Sequence, residues 1–322
     1  MTVDRTTLRM DCAWLGAIGL VSLALCASLT PHLHARIAAH SPLLALAGII
    51  TGSSQCDWTL PEFGKSLGKT PVGGHASANL PVSDPENTGK WIAVPSLSDE
   101  FDGSILDLAR WRPGIENWDG RQPSLFVPEN ISQNNGTLKL KMVHQAVPAK
   151  YLAGGYKDYT TAAVQSRQSV LYGYFEIRAK IMPSAGSSAF WLAAQTPKDW
   201  NEIDVFEIAG KAPGDPHKMF MDAHVFRANG KTLNEDLNGV MTVSRNMADD
   251  FHVYGVDWSP SSIDTYLDGK RVRHICNTSW HMPLRILLDA ETQTKWWGLP
   301  PFSDLPSTFE IDYLRVWRRA EP

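Results

Sequence analysis

The chain has 322 residues, more than one sandwich or barrel of roughly 200–250 residues needs, so a single catalytic-size domain preceded by an N-terminal extension accounts for the length. Thirty basic and 34 acidic residues give a net charge of −4. With neither sign dominant, nothing in the balance points to nucleic acid or to an anionic membrane surface.

The N-terminus opens with Arg5 and Arg9 ahead of an apolar run, Ala13 to Leu29. A basic stretch before such a run is the layout of an export signal. Two readings stay open for residues 1–56: a cleaved signal peptide, or a retained signal anchor that would be the only contact with a membrane. Both make the protein secreted, periplasmic or displayed at the cell surface. Four cysteines are present, and no two form a CxxC pair, which argues against a zinc site. Cys12 and Cys26 lie in or beside the apolar leader. Cys56 and Cys276 remain once it is removed, and spacing alone leaves open whether they pair or stay as thiols.

Residues 57–90 are rich in Pro, Gly, Ser and Asn, as in PVGGHASANLPVSDPENTG (71–89). Such a composition buries little apolar area, so a low-complexity linker is expected. From 91 to 319 the chain reads as short β-segments between turn signals. They include GTLKLKMV (136–143), YGYFEIRAKIM (172–182), NEIDVFEIA (201–209), FHVYGVDWS (251–259), SIDTYLDG (262–269) and FEIDYLRVWRR (309–319). Asn135-Gly136 and Asp268-Gly269 are hairpin signals. Long amphipathic helices and βα alternation are both absent. The expected fold is therefore all-β, a sandwich of two antiparallel sheets.

The segment WNEIDVFEIAG (200–210) carries Glu202, Asp204 and Glu207 among Ile203, Val205, Phe206 and Ile208. On a regular strand, 202 and 204 face one way and 207 the other. A β-bulge at Val205-Phe206 would restore the phase and bring all three acids to one face. Three acids on one face repel one another, so stability alone does not select them. Two carboxyls flanking a glycosidic bond are what glycoside hydrolysis requires, one as acid and one as nucleophile or base. Asp204, between them, can hydrogen-bond one and bias the protonation of the other. The 12 tryptophans fit the same chemistry, because their flat apolar faces stack on sugar rings.

These residues carry a family resemblance. The pattern ExDxxE at Glu202, Asp204 and Glu207 resembles that of the bacterial retaining endo-glycosidases of glycoside hydrolase family 16. That group includes agarases, porphyranases, carrageenases, laminarinases and lichenases, the last with the shorter ExDxE. Matches continue in SDEFDGSILDLARW (98–111), YGYFEIRAKI (172–181), Phe190-Trp191-Leu192 and IDYLRVW (311–317), in family order across 91–319. The resemblance implies a jelly-roll sandwich with a concave substrate groove, Glu202 as nucleophile, Glu207 as acid/base and Asp204 as their partner. It places Trp191 on the groove floor, next to the scissile bond, and makes His224, in DAHVF after the catalytic strand, a substrate-binding groove histidine. Trp200 adjoins that strand, and Glu291, Trp296 and Trp297, in DAETQTKWWG, are candidates for the far wall. Trp111 and Trp118 flank a loop, RPGIENWDGRQP, that is a candidate groove rim. Arg178 is assigned to strand packing or an ion pair rather than to sulfate. Catalysis needs no metal; a structural Ca²⁺ held by Glu100, the Gly136 carbonyl and Asp312 is implied by the family. The expected partner is a polysaccharide, most closely an agarose- or porphyran-like β-galactan, cut internally by a monomeric enzyme. An endo-β-1,3-glucanase and a non-catalytic carbohydrate-binding sandwich are the alternatives, and transglycosylation stays open.

Overall fold

The computed structural model describes residues 56–63, 79–214 and 217–320. The leader lies outside the described residues, and the sandwich belongs to the compact unit spanning Gly52–Pro322. Among the described residues, helix is limited to one short turn, Ala149–Leu152, and two 3-10 turns. The rest of the regular structure is strand, most of it arranged as two antiparallel sheets.

In one sheet the strands Ile131–Asn134, Thr137–His144, Ser307–Arg319, Gly173–Lys180, His252–Trp258, Ser262–Leu267 and Lys270–Cys276 lie side by side. The other runs Trp111–Pro113, Tyr159–Val170, Leu284–Glu291, Ser187–Gln195, Trp200–Ile208, Lys218–Ala228 and Lys231–Val243. Every strand expected from the sequence is present. The hairpin signals act as read: Asn135-Gly136 and Asp268-Gly269 both carry positive φ at their two positions, as a two-residue turn matched to strand twist requires. Asn229-Gly230 makes a third such turn.

Alternation along the strands supplies the apolar layer between the sheets. Phe175, Ile177 and Ala179 from the first sheet meet Phe190, Leu192, Val205 and Phe206 from the second, all fully buried. Phe206 packs on Tyr254 at 4.1 Å and edge-on to Phe309 at 6.2 Å between ring centroids, so the catalytic-strand core is anchored in the opposite sheet. This is the jelly-roll architecture expected.

The linker expectation for 57–90 is corrected over 57–63 and 79–90. Asp57–Thr59 extends the first sheet by pairing with Lys270–Cys276, and Glu62–Phe63 pairs in parallel with the edge of the second. Cys56 and Cys276 form a disulfide with Cα atoms 4.7 Å apart. Residues 79–90 cross the outer face of the first sheet. There the backbone of Val82 donates to Glu176, Trp317 donates its indole N–H to the Asn79 carbonyl, and Leu80 packs with Trp91, Tyr174 and Trp317. Proline and glycine here shape a fitted strap, because its partners are supplied by the sheet surface and not by its own composition. Residues 64–78 lie outside the described residues.

The carboxylates of the implied calcium site already have cationic partners. Arg315 forks onto Glu100 with two bonds of 2.8 Å, and Arg178 holds Asp312 at 2.8 Å. Two carboxylates neutralised by arginine do not make an open oxygen cage for a hard cation. Glu100, Gly136 and Asp312 therefore do not fit calcium as they stand, and Arg178 has the ion-pairing role read from the sequence. Trp111 is also corrected: it is buried in the core, its indole bonded to Asp99, and forms no rim.

Candidate active site

The catalytic-strand candidates are brought together by one irregularity. Pairing with Ser187–Gln195 matches Asp204 to Trp191 but Phe206 to Phe190, which leaves Val205 as the extra residue. Pairing on the other side slips between Asp204 and Glu207 as well. The bulge expected at Val205-Phe206 is thus present, and both bulge residues are fully buried in the core. Glu202, Asp204 and Glu207 consequently line one open groove of about 1240 Å³ on the outer face of the second sheet.

Trp280 fixes this stretch from behind. Its buried indole N–H is shared between the carbonyls of Glu202, 2.9 Å, and His224, 3.1 Å, which are partners in register. Nothing in the sequence around Trp280 marked it, since its role is to reach across the core to another strand's backbone.

On the Glu202 side, His224 presents Nε2 to Asp204 at 3.4 Å and Nδ1 to Asp236 at 2.7 Å. Donor atoms of Glu202, Asp204 and His224 lie within 4.8 Å of one another, a spacing an ion could bridge. The imidazolium already supplies positive charge there. Burial opposes a charge on His224, but hydrogen bonds to Asp204 and Asp236 and the charges of Asp204 and Glu202 raise its pKa to about 10. Burial comes first in holding Glu202 well above the usual carboxylate range, followed by the charge of Asp204, while the imidazolium opposes both.

On the Glu207 side, Gln293 donates an amide N–H to Glu207 at 2.9 Å. Burial, then the charge of Asp204, raises Glu207 to about 8, against that hydrogen bond and the pull of Arg121. Arg121 itself bonds Glu291 at 2.7 Å. Burial lifts Asp289 to about 7 and, with the charge of Asp289, holds Glu291 well above its ordinary value. Glu207 is thereby protonated at neutral pH, as a general acid must be, while His224 is the cation that draws the neighbouring Glu202 back toward the carboxylate form a nucleophile needs.

The aromatic candidates divide. Trp191 lies in the groove, half-buried, its indole N–H donated to Asp289 at 2.6 Å and its ring edge-on to Trp118. Trp200 lines the Glu202 end, packed on Phe226 at 4.4 Å. Trp296, 48% exposed, lines the other end over Phe220. Glu291 lines the wall as expected, although 2% exposed. Trp297 is corrected: it is 4% exposed and packs against Ala209 and Ala212. The backbone N–H groups of both Trp296 and Trp297 bond the Gln293 carbonyl, and the two indoles meet edge-on at 5.7 Å, the first lining the groove and the second buried beside it. Trp118 lines the groove, in keeping with its place on the candidate rim.

Sequence reading missed Arg121, Asp236, Asp289 and Gln293. Asp289 was within reach, because alternation along LRILLDAE puts 285, 287, 289 and 291 on one face once Glu291 is assigned to the groove. Arg121 arrives from a loop 170 residues away from its partner, which no local pattern announces.

The family model described as Beta-porphyranase A-D, GH16 domain, matches residues 91–319. Beta-porphyranase B of Zobellia galactanivorans is 32% identical over 209 residues, covering 59% of this chain and 70% of that protein. Glucan endo-1,3-beta-glucosidase A1 of Niallia circulans is 25% identical over 294 residues, covering 76% of this chain and 42% of that protein. The crystal structure of porphyranase B from Zobellia galactanivorans superposes with a TM-score of 0.65 at 27% identity, covering 72% of this chain and 94% of that one. With a groove of this build and a family match across residues 91–319, the chain belongs to glycoside hydrolase family 16 and is a glycoside hydrolase.

Proposed function

We propose that the enzyme is a retaining endo-hydrolase of a β-galactan of agarose or porphyran type. Glu202 acts as nucleophile, Glu207 as acid/base and Asp204 as the partner of both. The observation that carries this reading is the bulge at Val205, which turns three carboxylates onto the floor of an open groove. In the first step Glu207 gives its proton to the glycosidic oxygen as the bond to C1 breaks, and the Glu202 carboxylate attacks C1 from the opposite face. In the second, Glu207, now ionised, takes a proton from water while that oxygen attacks C1 and Glu202 leaves. Asp204, facing Nε2 of His224, lies between the two glutamates on the same strand.

The galactan reading is supported by the porphyranase family model and relative. The glucanase relative favours a second reading, cleavage of a β-1,3-glucan. A panel of agarose, porphyran, carrageenan, laminarin and lichenan, with early products followed by NMR, tests both. Release of β-anomeric oligosaccharides from a galactan is the expected result. Cleavage of laminarin alone would favour the glucanase, and an initial α-anomer would refute the covalent route. We also infer export, with the enzyme acting as a monomer: the Arg-flanked apolar run and the Cys56–Cys276 disulfide both suit an oxidising compartment. Fractionation of cells carrying a C-terminal tag tests it, and purely cytosolic recovery would reject it.

A further inference from the structure

His224 is held more tightly than substrate contact alone requires. Asp236, on the neighbouring strand Lys231–Val243, stands directly opposite it in register. Its neighbour Leu237 packs against the core, so Asp236 points to the groove face. The imidazole is bonded at both nitrogens, 2.7 Å to Asp236 and 3.4 Å to Asp204, and Phe226 stacks nearly parallel to it, at 5.3 Å and 21°. The charged groups facing it are Glu202 and Asp204 from the catalytic strand, Asp222 from its own strand and Asp236. Glu235, next to Asp236, is engaged instead by the Ser279 hydroxyl.

A neutral imidazole has one N–H. The short contact to Asp236 claims that proton at Nδ1, which would leave a lone pair at Nε2 facing the Asp204 carboxylate. A second proton on Nε2 turns that repulsion into a hydrogen bond. We propose that Asp236 is a positioning residue of this active site, accepting the Nδ1 proton of His224 so that the opposite nitrogen, proton attached, is held against Asp204. The proposal rests on the assignment of Glu202, Asp204 and Glu207 given above. Through it the half-exposed Asp236 keeps one cation aimed at Glu202 and Asp204.

The test compares Asp236→Ala, Asp236→Asn and Asp236→Glu in the full chain. The readouts are kcat and KM across pH, together with NMR titration of the His224 imidazole, assigned with His224→Gln. Asp236→Ala and Asp236→Asn are expected to lower kcat by about ten- to a hundredfold, the range for a hydrogen bond to a charged group, with KM nearly unchanged. His224 should lose its proton at lower pH, and the alkaline limb of the activity profile should move down with it. Asp236→Glu should restore most of kcat. An Asp236→Asn enzyme with wild-type kcat and an unmoved His224 titration overturns the proposal, as does a lowered melting temperature with an unchanged pH profile. Glu202→Gln separates the two layers: if it stays active, the catalytic assignment fails, while the imidazole titration still decides what Asp236 does.

Discussion

Trp191 donates its indole N–H to Asp289 at 2.6 Å, and Asp289 is 1% exposed with its second carboxylate oxygen buried and without a hydrogen-bond partner among the described residues. The groove floor is thus an aromatic plate bolted to a buried acid. Trp191→Ala removes both the plate and the donor. Stacking contributes about 0.5–1.5 kcal/mol beyond simple burial. We expect kcat/KM on long chains to fall at least about tenfold. Trp191→Phe keeps the plate but leaves Asp289 without its donor, so it should cost stability more than the change in area implies. Unchanged kinetics with a lowered melting temperature in Trp191→Ala would return this tryptophan to a packing role.

The groove acids set a pH dependence with a definite sign. Glu207, held at about 8 by burial and Asp204, is protonated and competent as an acid below that value. Activity should therefore fall as pH rises through about 8, and both Glu202→Gln and Glu207→Gln should lose most turnover while remaining folded. In the unfolded chain Glu207 releases its proton near its ordinary value of 4.5, so between that pH and about 8 the folded state binds more protons. Stability from this group is full at low pH and declines across the window. Glu207→Gln removes that decline, and its melting temperature should exceed that of the wild type at pH 8 and above. Lower melting of Glu207→Gln at every pH would contradict the burial argument.

His224 works in the same direction at higher pH. Its folded pKa of about 10 lies above the ordinary value of 6.5, so its stabilisation is full below 6.5 and is lost as pH rises through 10. His224→Gln should narrow the stability difference between pH 6 and pH 10, as measured by chemical denaturation. An unchanged difference would mean that the ring is neutral in the groove.

Among the described residues, Arg121 is the cation that pairs with the buried Glu291, whose second oxygen has no hydrogen-bond partner there. Arg121→Met leaves that acid unpaired. Because the Arg121 side chain is itself 47% exposed, the loss is put at about 1–3 kcal/mol, below that of a fully buried pair. Arg121 also pulls the Glu207 pKa down, so its removal should carry the alkaline limb of activity to higher pH. A limb that stays in place would uncouple Arg121 from Glu207.

Cys56 and Cys276, 220 residues apart in sequence, tie the first described residue to the edge of the first sheet. Closing so long a loop restricts the unfolded chain, with typical stabilisation of about 2–5 kcal/mol. Cys276→Ser, or reduction of the intact enzyme, should lower the denaturation midpoint accordingly while activity at 25 °C persists. A midpoint insensitive to reductant would show that the strand Asp57–Thr59 holds without its covalent tie.

The sequence by itself determined the sandwich, its hairpins and the catalytic strand, because alternation, Asn-Gly and Asp-Gly turns and the phase error at Val205-Phe206 are local signals with one economical solution. Glu202, Asp204 and Glu207 could be placed on one face for the same reason: only a bulge reconciles three acids with the four apolar residues among them. Tertiary structure alone decided what meets those acids. Arg121 and Gln293 lie in segments readable as groove rim and far wall, but which acid each one meets is set by strands far away along the chain, and nothing around Asp236 signals the groove. Trp296 and Trp297 look equivalent in sequence, yet the first lines the groove and the second is buried beside it. The strap at 79–90 and the strand at Asp57–Thr59 escape a reading by composition, because composition reports what a segment can bury by itself. Their stability comes from surface offered by sheets that lie far away along the chain.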